Sequence, residues 1–207
     1  MDKPNKIIGF FLVHSMDCGI GGMESHQRAF IDYFFKSMSG NTIQFRYIIE
    51  NDKTFFHVIE MRNSKITQTY KFIDFSSLKD FINQISLGSP LIFLNDGWWI
   101  ENVIDFRETF PNSCIFLRSG GNDIELAPWN RGNFTYLKRR ELWKKSIDHL
   151  NFIISNSDYS VSRLNNLSVS KSKIVKIRGG VNSKLCLKLK SRKEVIKTEL
   201  RDNLNIK

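Results

Sequence analysis

Cysteines, long apolar runs and a leader-like start are scarce or missing in this sequence of 207 residues. The three cysteines, Cys18, Cys114 and Cys186, are odd in number and lack metal-type spacing, which favours reduced thiols over a disulfide framework. No apolar run approaches the roughly eighteen residues of a membrane-spanning helix. Residues 1–6 lead into only seven mostly apolar residues without a cleavage site of small residues, so a signal peptide is not predicted. These absences favour a cytoplasmic protein.

Several motifs of known chemistry are also missing. The sequence has no Gly-x-Ser-x-Gly nucleophile elbow and no Gly-Lys-Ser/Thr phosphate loop, which argues against a serine hydrolase and a P-loop enzyme. It lacks the G-x-G-x-x-G fingerprint, which argues against an epimerase or dehydrogenase that binds a dinucleotide. The four histidines make no metal-ligand pattern. The sequence therefore predicts no metal site and no resident cofactor.

The charge of the sequence is unevenly distributed. The net charge is +10, but residues 171–207 hold twelve lysines and arginines against three acidic residues, whereas residues 1–170 hold nineteen against eighteen. A basic tail of this kind favours phosphate-rich partners, either anionic lipid at the inner face of a membrane or nucleic acid. Nucleic acid is the weaker interpretation, because the nearly neutral body offers no basic and aromatic platform. The alternative is a solvated linker whose charge has no partner.

The order of apolar and amphipathic segments predicts an α/β fold. Short apolar strands alternate with helices after residue 90, which is typical of a parallel sheet. Predicted strands cover residues 7–13, 42–50, 54–61, 65–72, 90–94, 114–117, 152–154 and 174–177. Predicted helices cover residues 23–38, 74–85, 100–106, 136–150 and 158–167. We expect a Rossmann-like, mostly parallel sheet with helices on both faces and a β-rich insertion near residues 42–75.

A glycine-rich loop follows the first predicted strand. Residues 18–24 read Cys-Gly-Ile-Gly-Gly-Met-Glu and lie between that strand and a predicted helix. Glycines let the main chain approach a ligand closely, and a helix N-terminus directs free N–H groups at an anion. Gly21, Gly22 and Glu24 are therefore candidate phosphate contacts. A tight turn without a ligand is the alternative, since Glu24 stands where the dinucleotide fingerprint has its third glycine.

Polar, glycine-rich sequence also follows the later predicted strands. In an open parallel sheet, ligands bind beyond the carboxyl ends of the strands. The sequences at those ends cover residues 19–24, 95–97, 118–123, 155–157 and 179–182. Five such loops at one edge favour a ligand crevice, although glycine, asparagine and aspartate also simply make good turns.

Individual side chains in these loops are candidate ligand contacts. Arg118 leads into a Ser-Gly-Gly loop, where its guanidinium can pair with a phosphate or carboxylate, or with a helix acid such as Glu125. Asp96 and Asp123 are candidates for acid–base work or for binding sugar hydroxyls, but their spacing does not show that they meet. His14 follows the first strand and can line the same crevice.

Two adjacent tryptophans follow the predicted strand end at residues 95–97. Flat aromatic faces suit the apolar faces of sugars, so Trp98 and Trp99 are candidates for stacking on a sugar ring. The alternative is that both tryptophans simply pack in the core at the start of a helix.

Two stretches together resemble a known family. Gly21-Gly22-Met23-Glu24 after the first strand looks like the G-G-x-E loop of retaining glycosyltransferases of the GT-B fold, family 4. Residues 152–160 resemble that family's strand ending in Ser-x-x, and residues 173–182 are similar to its signature ending in Asn-Gly-Val-Asp. In this sequence Gly179 replaces the Asn of that signature and Asn182 replaces its Asp.

The resemblance implies a two-domain transferase of polysaccharide biosynthesis. Such enzymes move a sugar, with retention, from a nucleotide sugar to a glycan, lipid-linked or protein acceptor, so that the nucleotide sugar is a substrate and not a cofactor. The N-terminal Rossmann-like domain is one half of the GT-B fold and chiefly binds the acceptor. By that comparison Gly21 and Gly22, in the loop that Glu24 ends, contact the donor diphosphate. Arg118 and Asp123 are donor-side candidates by position only, and Asp96, Trp98 and His14 are candidate acceptor contacts by their place at the strand ends. Catalytic residues stay unassigned.

The family's C-terminal domain holds most of the nucleotide-sugar contacts, including an E-x7-E motif that has no counterpart after Val181. We therefore expect residues 1–182 to form the acceptor-side domain and residues 183–207 to form a basic linker or the start of the second domain. We also expect the 207-residue chain alone not to turn over a nucleotide sugar. A stand-alone module that binds a phosphorylated metabolite is the competing interpretation.

Overall fold

A computed structural model describes residues 6–13, 33, 43–51, 54–62, 65–120, 124 and 132–177, with no side-chain description for Trp98 and residues 132–137. Within these ranges the chain forms strands, α-helices and short 3-10 segments. The strands are β1 (Ile7–Val13), β2 (Ile43–Asn51), β3 (Phe56–Arg62), β4 (Lys65–Phe72), β5 (Leu91–Asp96), β6 (Cys114–Ser119), β7 (Phe152–Ser155) and β8 (Ile174–Lys176). The α-helices are α1 (Phe75–Ser86), α2 (Val103–Thr109), α3 (Gly132–Ser146) and α4 (Asp158–Asn166). The 3-10 segments are Gly97–Glu101, Ile147–His149 and Lys171–Lys173.

These strands form one sheet in the order β4-β3-β2-β1-β5-β6-β7-β8. Strands β2, β1, β5, β6, β7 and β8 are parallel to one another, whereas β3 is antiparallel to both of its neighbours. The predicted Rossmann-like, mostly parallel sheet is therefore confirmed. The β-rich stretch near residues 42–75 belongs to the same sheet, because β2 extends its parallel part and β3 and β4 add an antiparallel edge.

The main core lies on the face of the sheet that carries Phe10 and Leu12, which we call the helical face. All four described α-helices contribute side chains to it. Its fully buried members include Phe10, Leu12, Ile49, Leu78, Ile82, Phe93, Phe106, Ile115, Leu117, Trp143, Ile153 and Leu164. Burial of each such side chain contributes about 1.5–3 kcal/mol to stability. The ring of Phe10 stacks between Tyr47 and Phe93, at centroid distances of 5.3 and 5.2 Å.

A second apolar cluster lies on the opposite face and contains Phe11, Val13 and Ile48. The ring of Phe45 stacks on Phe11 there, with centroids 4.6 Å apart. A Cβ atom on Gly9 would lie 2.5 Å from the Phe45 ring, so this strand position has room only for glycine. Further along the sheet this face is less covered, since Phe152 at the start of β7 is 39% exposed. The first residue of β7 is therefore not buried, although the strand sequence is mostly apolar.

Among the described helices, α1 and α4 begin with a side-chain cap, whereas Asn102 before α2 makes no such bond. Asp74 precedes α1, and its carboxylate accepts a hydrogen bond of 2.7 Å from the backbone N–H of Ser77. This bond is the chief reason why the pKa of Asp74 lies below its usual value. Of the helix predicted over residues 23–38, only Tyr33 is described, and it is helical and exposed. No helix in the described part of the chain is long and apolar enough to cross a membrane.

Candidate functional site

The sheet order reverses direction beside β1. From β1 the chain pairs first with β2 on one side, and it later returns to form β5 on the other side of β1. In open α/β sheets, such a reversal leaves a crevice beyond the carboxyl ends of the two strands, and ligands bind there. The carboxyl ends of β1 and β5 therefore locate the candidate site, and the ends of β6 and β7 continue the same edge.

Asp96 and Arg118 lie side by side at this edge. They are register partners on the neighbouring parallel strands β5 and β6, where adjacent strands are about 4.8 Å apart. Because side chains alternate along a strand, both lie on the face of Leu94, opposite the helices. Asp96 is 4% exposed and Arg118 is 7% exposed. Two opposite charges that are both largely withdrawn from water thus lie next to each other at the strand ends, where charge is normally costly to bury.

The structure corrects the predicted position of these two residues. The sequence predicted β5 to end at residue 94 and β6 at residue 117, which placed Asp96 and Arg118 in loops. Both residues are the last or next-to-last of their strands, since β5 continues to Asp96 and β6 to Ser119. Their backbone is therefore fixed by the sheet, which makes them more rigid candidates than loop residues would be.

Asn95 is a buried polar residue that the sequence suggested only as part of a turn. It lies on the helical face, between its register partners Leu12 in β1 and Leu117 in β6, and it is 1% exposed. Both polar atoms of its carboxamide lack a hydrogen-bond partner in the described structure. The sequence did indicate this residue, because an asparagine directly continues an apolar strand. Asparagine is also common in turns, so it was interpreted as part of a turn.

The segment that follows β5 is fastened to α3 by Arg139. The guanidinium of this buried residue donates to the carbonyl of Gly97 at 2.7 Å and to the carboxylate of Glu101 at 3.3 Å. About two turns further along α3, the hydroxyl of Ser146 donates to the carbonyl of Ile100 at 3.1 Å. These bonds hold the 3-10 segment Gly97–Glu101 against the edge of the sheet. Arg139 therefore acts as a positioning residue for the turn beside Asp96.

Serines join the ends of β6 and β7 to the start of α4. The hydroxyl groups of Ser155 and Ser160 share a hydrogen bond, and Ser160 also reaches the carbonyl of Ser119 at 3.3 Å. Ser157 caps α4, because its hydroxyl accepts from the backbone N–H of Ser160 at 3.1 Å. Ser119, Ser155 and Ser160 are completely buried. This cluster of buried hydroxyl groups fixes the carboxyl ends of β6 and β7 against the start of α4.

Several predicted site residues fall outside the described part of the chain. They are His14, Gly21, Gly22, Glu24 and Asp123, together with Glu125 as the alternative partner of Arg118. The side chain of Trp98 is not described either, whereas its neighbour Trp99 is buried and packs against Phe106 with ring centroids 6.1 Å apart. For Trp99 the packing interpretation is therefore the better one. The structure brings together Asp96 and Arg118 among the predicted residues, and it adds Asn95.

Metal and thiol chemistry find no support in the described residues. Among them, no group of three or more His, Cys, Asp or Glu side chains could hold a metal ion. Cys114 is the first residue of β6, so it lies at the amino end of that strand, away from the candidate site. Burial raises the pKa of its thiol. A raised pKa reduces the thiolate fraction at neutral pH, so Cys114 is poorly suited to act as a nucleophile.

Comparison with known proteins adds little to this geometry. A scan against protein-family models and a search of curated proteins each found no match. Among solved structures, HepE of Anabaena in complex with UDP is similar over 92% of this chain and 50% of its own chain, with 11% identity and a TM-score of 0.49. This chain thus spans about half the length of that structure. At this identity and TM-score the likeness identifies no family, and the fold class stands on the sheet topology.

Proposed function

We propose that the chain is the acceptor-side half of a glycosyltransferase. The enzyme would move a sugar, with retention, from a nucleotide sugar to a glycan, lipid-linked or protein acceptor, as the resemblance of its G-G-x-E loop implies. One wall of the transfer cleft would be the carboxyl edge of β1, β5 and β6. A second domain would carry the nucleotide, and the cytoplasmic protein would work next to the inner face of a membrane.

The observation that carries this proposal is the pairing of Asp96 with Arg118 in register at the strand ends beside the β1/β5 reversal. A guanidinium donates strong, charge-assisted hydrogen bonds to phosphate oxygens, so Arg118 is suited to the donor diphosphate. A carboxylate accepts hydrogen bonds from hydroxyl groups, so Asp96 is suited to an acceptor sugar. The two residues together would hold an anionic group and a hydroxyl group side by side, which is what a glycosyl transfer must bring together.

Ligand binding by the 207-residue chain tests this function. Purified chain would be screened by thermal unfolding against UDP-, GDP- and dTDP-sugars and against sugar phosphates that lack a nucleotide. A ligand that binds only the folded state raises the midpoint of unfolding. We expect a nucleotide sugar to give the largest shift. An equal shift with a simple sugar phosphate would instead favour a stand-alone module for a phosphorylated metabolite.

A matched pair of substitutions tests the role of Arg118. Arg118→Lys keeps the charge but loses the planar fork of donors, and we expect about tenfold weaker binding of the preferred nucleotide sugar. Arg163→Lys is the control, because Arg163 lies in the last turn of α4, away from this edge, with its guanidinium over the ring of Tyr159. If both variants bind as the unchanged chain does, Arg118 does not contact the donor.

A further inference from the structure

Two buried hydrogen-bonding groups without partners lie near the β1/β5 reversal. They are the carboxamide of Asn95 and the indole N–H of Trp99, and within the described residues neither finds a hydrogen-bond partner. Asn95 is 1% exposed and Trp99 is 2% exposed. Buried polar side chains are nearly always hydrogen-bonded in folded proteins, and each one that is not lowers the folding equilibrium constant about tenfold. The lack of partners for these three atoms, two in Asn95 and one in Trp99, therefore requires an explanation.

Packing alone does not give that reason. Asn95 lies between Leu12 and Leu117 in the sheet, and Phe93 precedes it on the same face. A leucine has the same branching as an asparagine and would continue this apolar row without an unmatched amide. A phenylalanine would likewise fill much of the space of Trp99 without an N–H group. Both polar groups thus occupy positions where apolar residues would serve the core better.

The positions of the two side chains bring them to the same part of the molecule. Asn95 is beside Leu12, the next-to-last residue of β1. Trp99 follows β5, and its ring lies 6.0 Å from that of Phe56, which begins β3 next to the carboxyl end of β2. The indole therefore reaches from β5 across the ends of β1 and β2 on the helical face. Asn95 and Trp99 thus flank the end of β1, where the candidate crevice begins.

We propose that Asn95 and Trp99 form a neutral subsite that binds a hydroxyl group of a sugar, an inference that rests on the proposed function. The carboxamide offers both a donor and an acceptor, and the indole offers a second donor, which together match a hydroxyl group. The neighbouring side chains, such as Phe93 and Ile100, are apolar and fully buried, so a phosphate would be too costly there. Arg118 lies on the opposite face and takes the anionic part of the ligand.

Nuclear magnetic resonance of the full 15N-labelled chain tests this subsite directly. The indole signal of Trp99 is assigned by its loss in Trp99→Phe, and the chain is titrated with methyl glucoside, methyl galactoside and methyl mannoside. We expect at least one glycoside to shift the Trp99 signal in a saturable manner at millimolar concentration. Asn95→Leu should weaken that glycoside about tenfold, as expected for the loss of a buried hydrogen-bonding partner. Asn112→Leu, the same change in an exposed turn before β6, should leave its affinity unchanged.

Thermal unfolding of the free variants supplies a second, independent readout. Because Asn95→Leu removes an unmatched carboxamide, we expect it to unfold at the same temperature as the unchanged chain or at a higher one, whereas Trp99→Phe also loses buried ring area. A lower midpoint for Asn95→Leu would show that its carboxamide is bonded internally, for example to a buried water molecule, and would overturn the proposal. An unshifted Trp99 signal with all three glycosides would also overturn it.

The two proposals fail in different ways. If a glycoside binds and depends on Asn95, but a simple sugar phosphate binds as well as any nucleotide sugar, the subsite stands and the transferase function falls. If a nucleotide sugar binds and Asn95→Leu and Trp99→Phe both leave its affinity unchanged, the function stands and the subsite falls.

Discussion

Arginines at the two ends of the parallel strands have different roles, which their neighbouring residues determine. Arg107 in α2 looks as eligible for ligand binding as Arg118 when only the sequence is known. Its guanidinium instead donates to the carbonyls of Pro111, Ser113 and His149 and to the side chain of Asn151, at distances of 2.7–3.0 Å. These acceptors tie α2 to the turns that begin β6 and β7. Arg107 is therefore a structural residue, whereas Arg118 ends a strand at the candidate edge.

Glu60 gives a prediction about pH. Its largely buried carboxylate accepts hydrogen bonds from Arg46 and from Arg62, the latter at 3.0 Å. Burial raises the pKa of Glu60, but the two guanidinium groups outweigh that effect and hold the pKa below its usual value of 4.5. A lowered pKa in the folded state means that the ionised carboxylate stabilises the fold above the unfolded value. This contribution is lost as the pH falls from about 4.5 through the lower folded pKa.

Denaturant unfolding between pH 3 and pH 7 measures that contribution, these being about one unit or more on either side of an ordinary glutamate pKa. We expect Glu60→Gln to cost about 1 kcal/mol at neutral pH, because both arginines are partly in water and screening limits the pair. The difference from the unchanged chain should shrink as the pH falls below 4.5. Glu108→Gln, an exposed carboxylate in α2, is the control. A cost for Glu60→Gln that does not change with pH would contradict the argument.

The elements show which parts of the fold the sequence predicts and which it does not. The predicted positions of the strands agree with the structure, because runs such as Ile7–Val13 are mostly apolar and are typical of a buried strand. The ends of β5 and β6 came out two residues short, because Asn95, Asp96, Arg118 and Ser119 are polar and resemble turn sequence. Local propensity ended these strands in the prediction, whereas pairing with the adjacent strands continues them in the structure.

The third helix was displaced in the same way. The sequence predicted a helix over residues 136–150, and α3 starts four residues earlier, at Gly132, and gives way to the 3-10 segment Ile147–His149. Glycine and asparagine at its start suggested a loop, and the apolar Ile147 and Leu150 suggested continued helix. Both apolar residues are buried after the α-helix has ended, so burial alone does not distinguish the two kinds of turn.

Arg139 links two of these elements and gives a prediction at their junction. Arg139→Met removes the donor to the buried carbonyl of Gly97, and we expect a loss of about 2 kcal/mol in the free energy of unfolding. Loss of the bond to Glu101 should contribute little to this cost, because the Glu101 side chain is 61% exposed and water replaces the lost partner. Because the turn beside Asp96 loosens, nucleotide-sugar binding should weaken as well.

Arg140→Met is the matched control for that experiment. Arg140 is the next residue of α3, and its guanidinium donates to the carbonyl of Asn166 in an exposed bond of 3.0 Å. We expect its substitution to change the unfolding free energy by no more than about 0.5 kcal/mol. Equal losses for the two variants would show that Arg139 does not specially hold the junction between α3 and Gly97–Glu101.

The order of the strands in the sheet could not be predicted from the sequence, because tertiary packing determines which strands pair. Turn sequences at residues 51–53 and 62–64 indicated neighbouring strands, and β2, β3 and β4 do pair in that order. Nothing local, however, indicates that β5 returns to the far side of β1. That return creates the reversal beside which Asp96 and Arg118 lie on one face and Asn95 on the other, so the candidate site is a property of the whole sheet.

The uneven charge of the whole chain leads to the last prediction, which concerns a membrane. We propose that the basic tail binds anionic lipid, and each lysine near such a surface contributes about 1 kcal/mol. A variant with Lys184, Lys188, Lys190 and Lys193 changed to Gln should therefore bind vesicles of phosphatidylglycerol at least about tenfold more weakly in a sedimentation assay. The control carries the same four-charge change at Lys65, Lys79, Lys138 and Lys145 in the body of the chain and should bind nearly as well as the unchanged protein. Added salt should weaken binding, since it screens surface charge. Equal losses in both variants would mean that only net charge matters, and equal binding to neutral vesicles of phosphatidylcholine would exclude an electrostatic role for the tail.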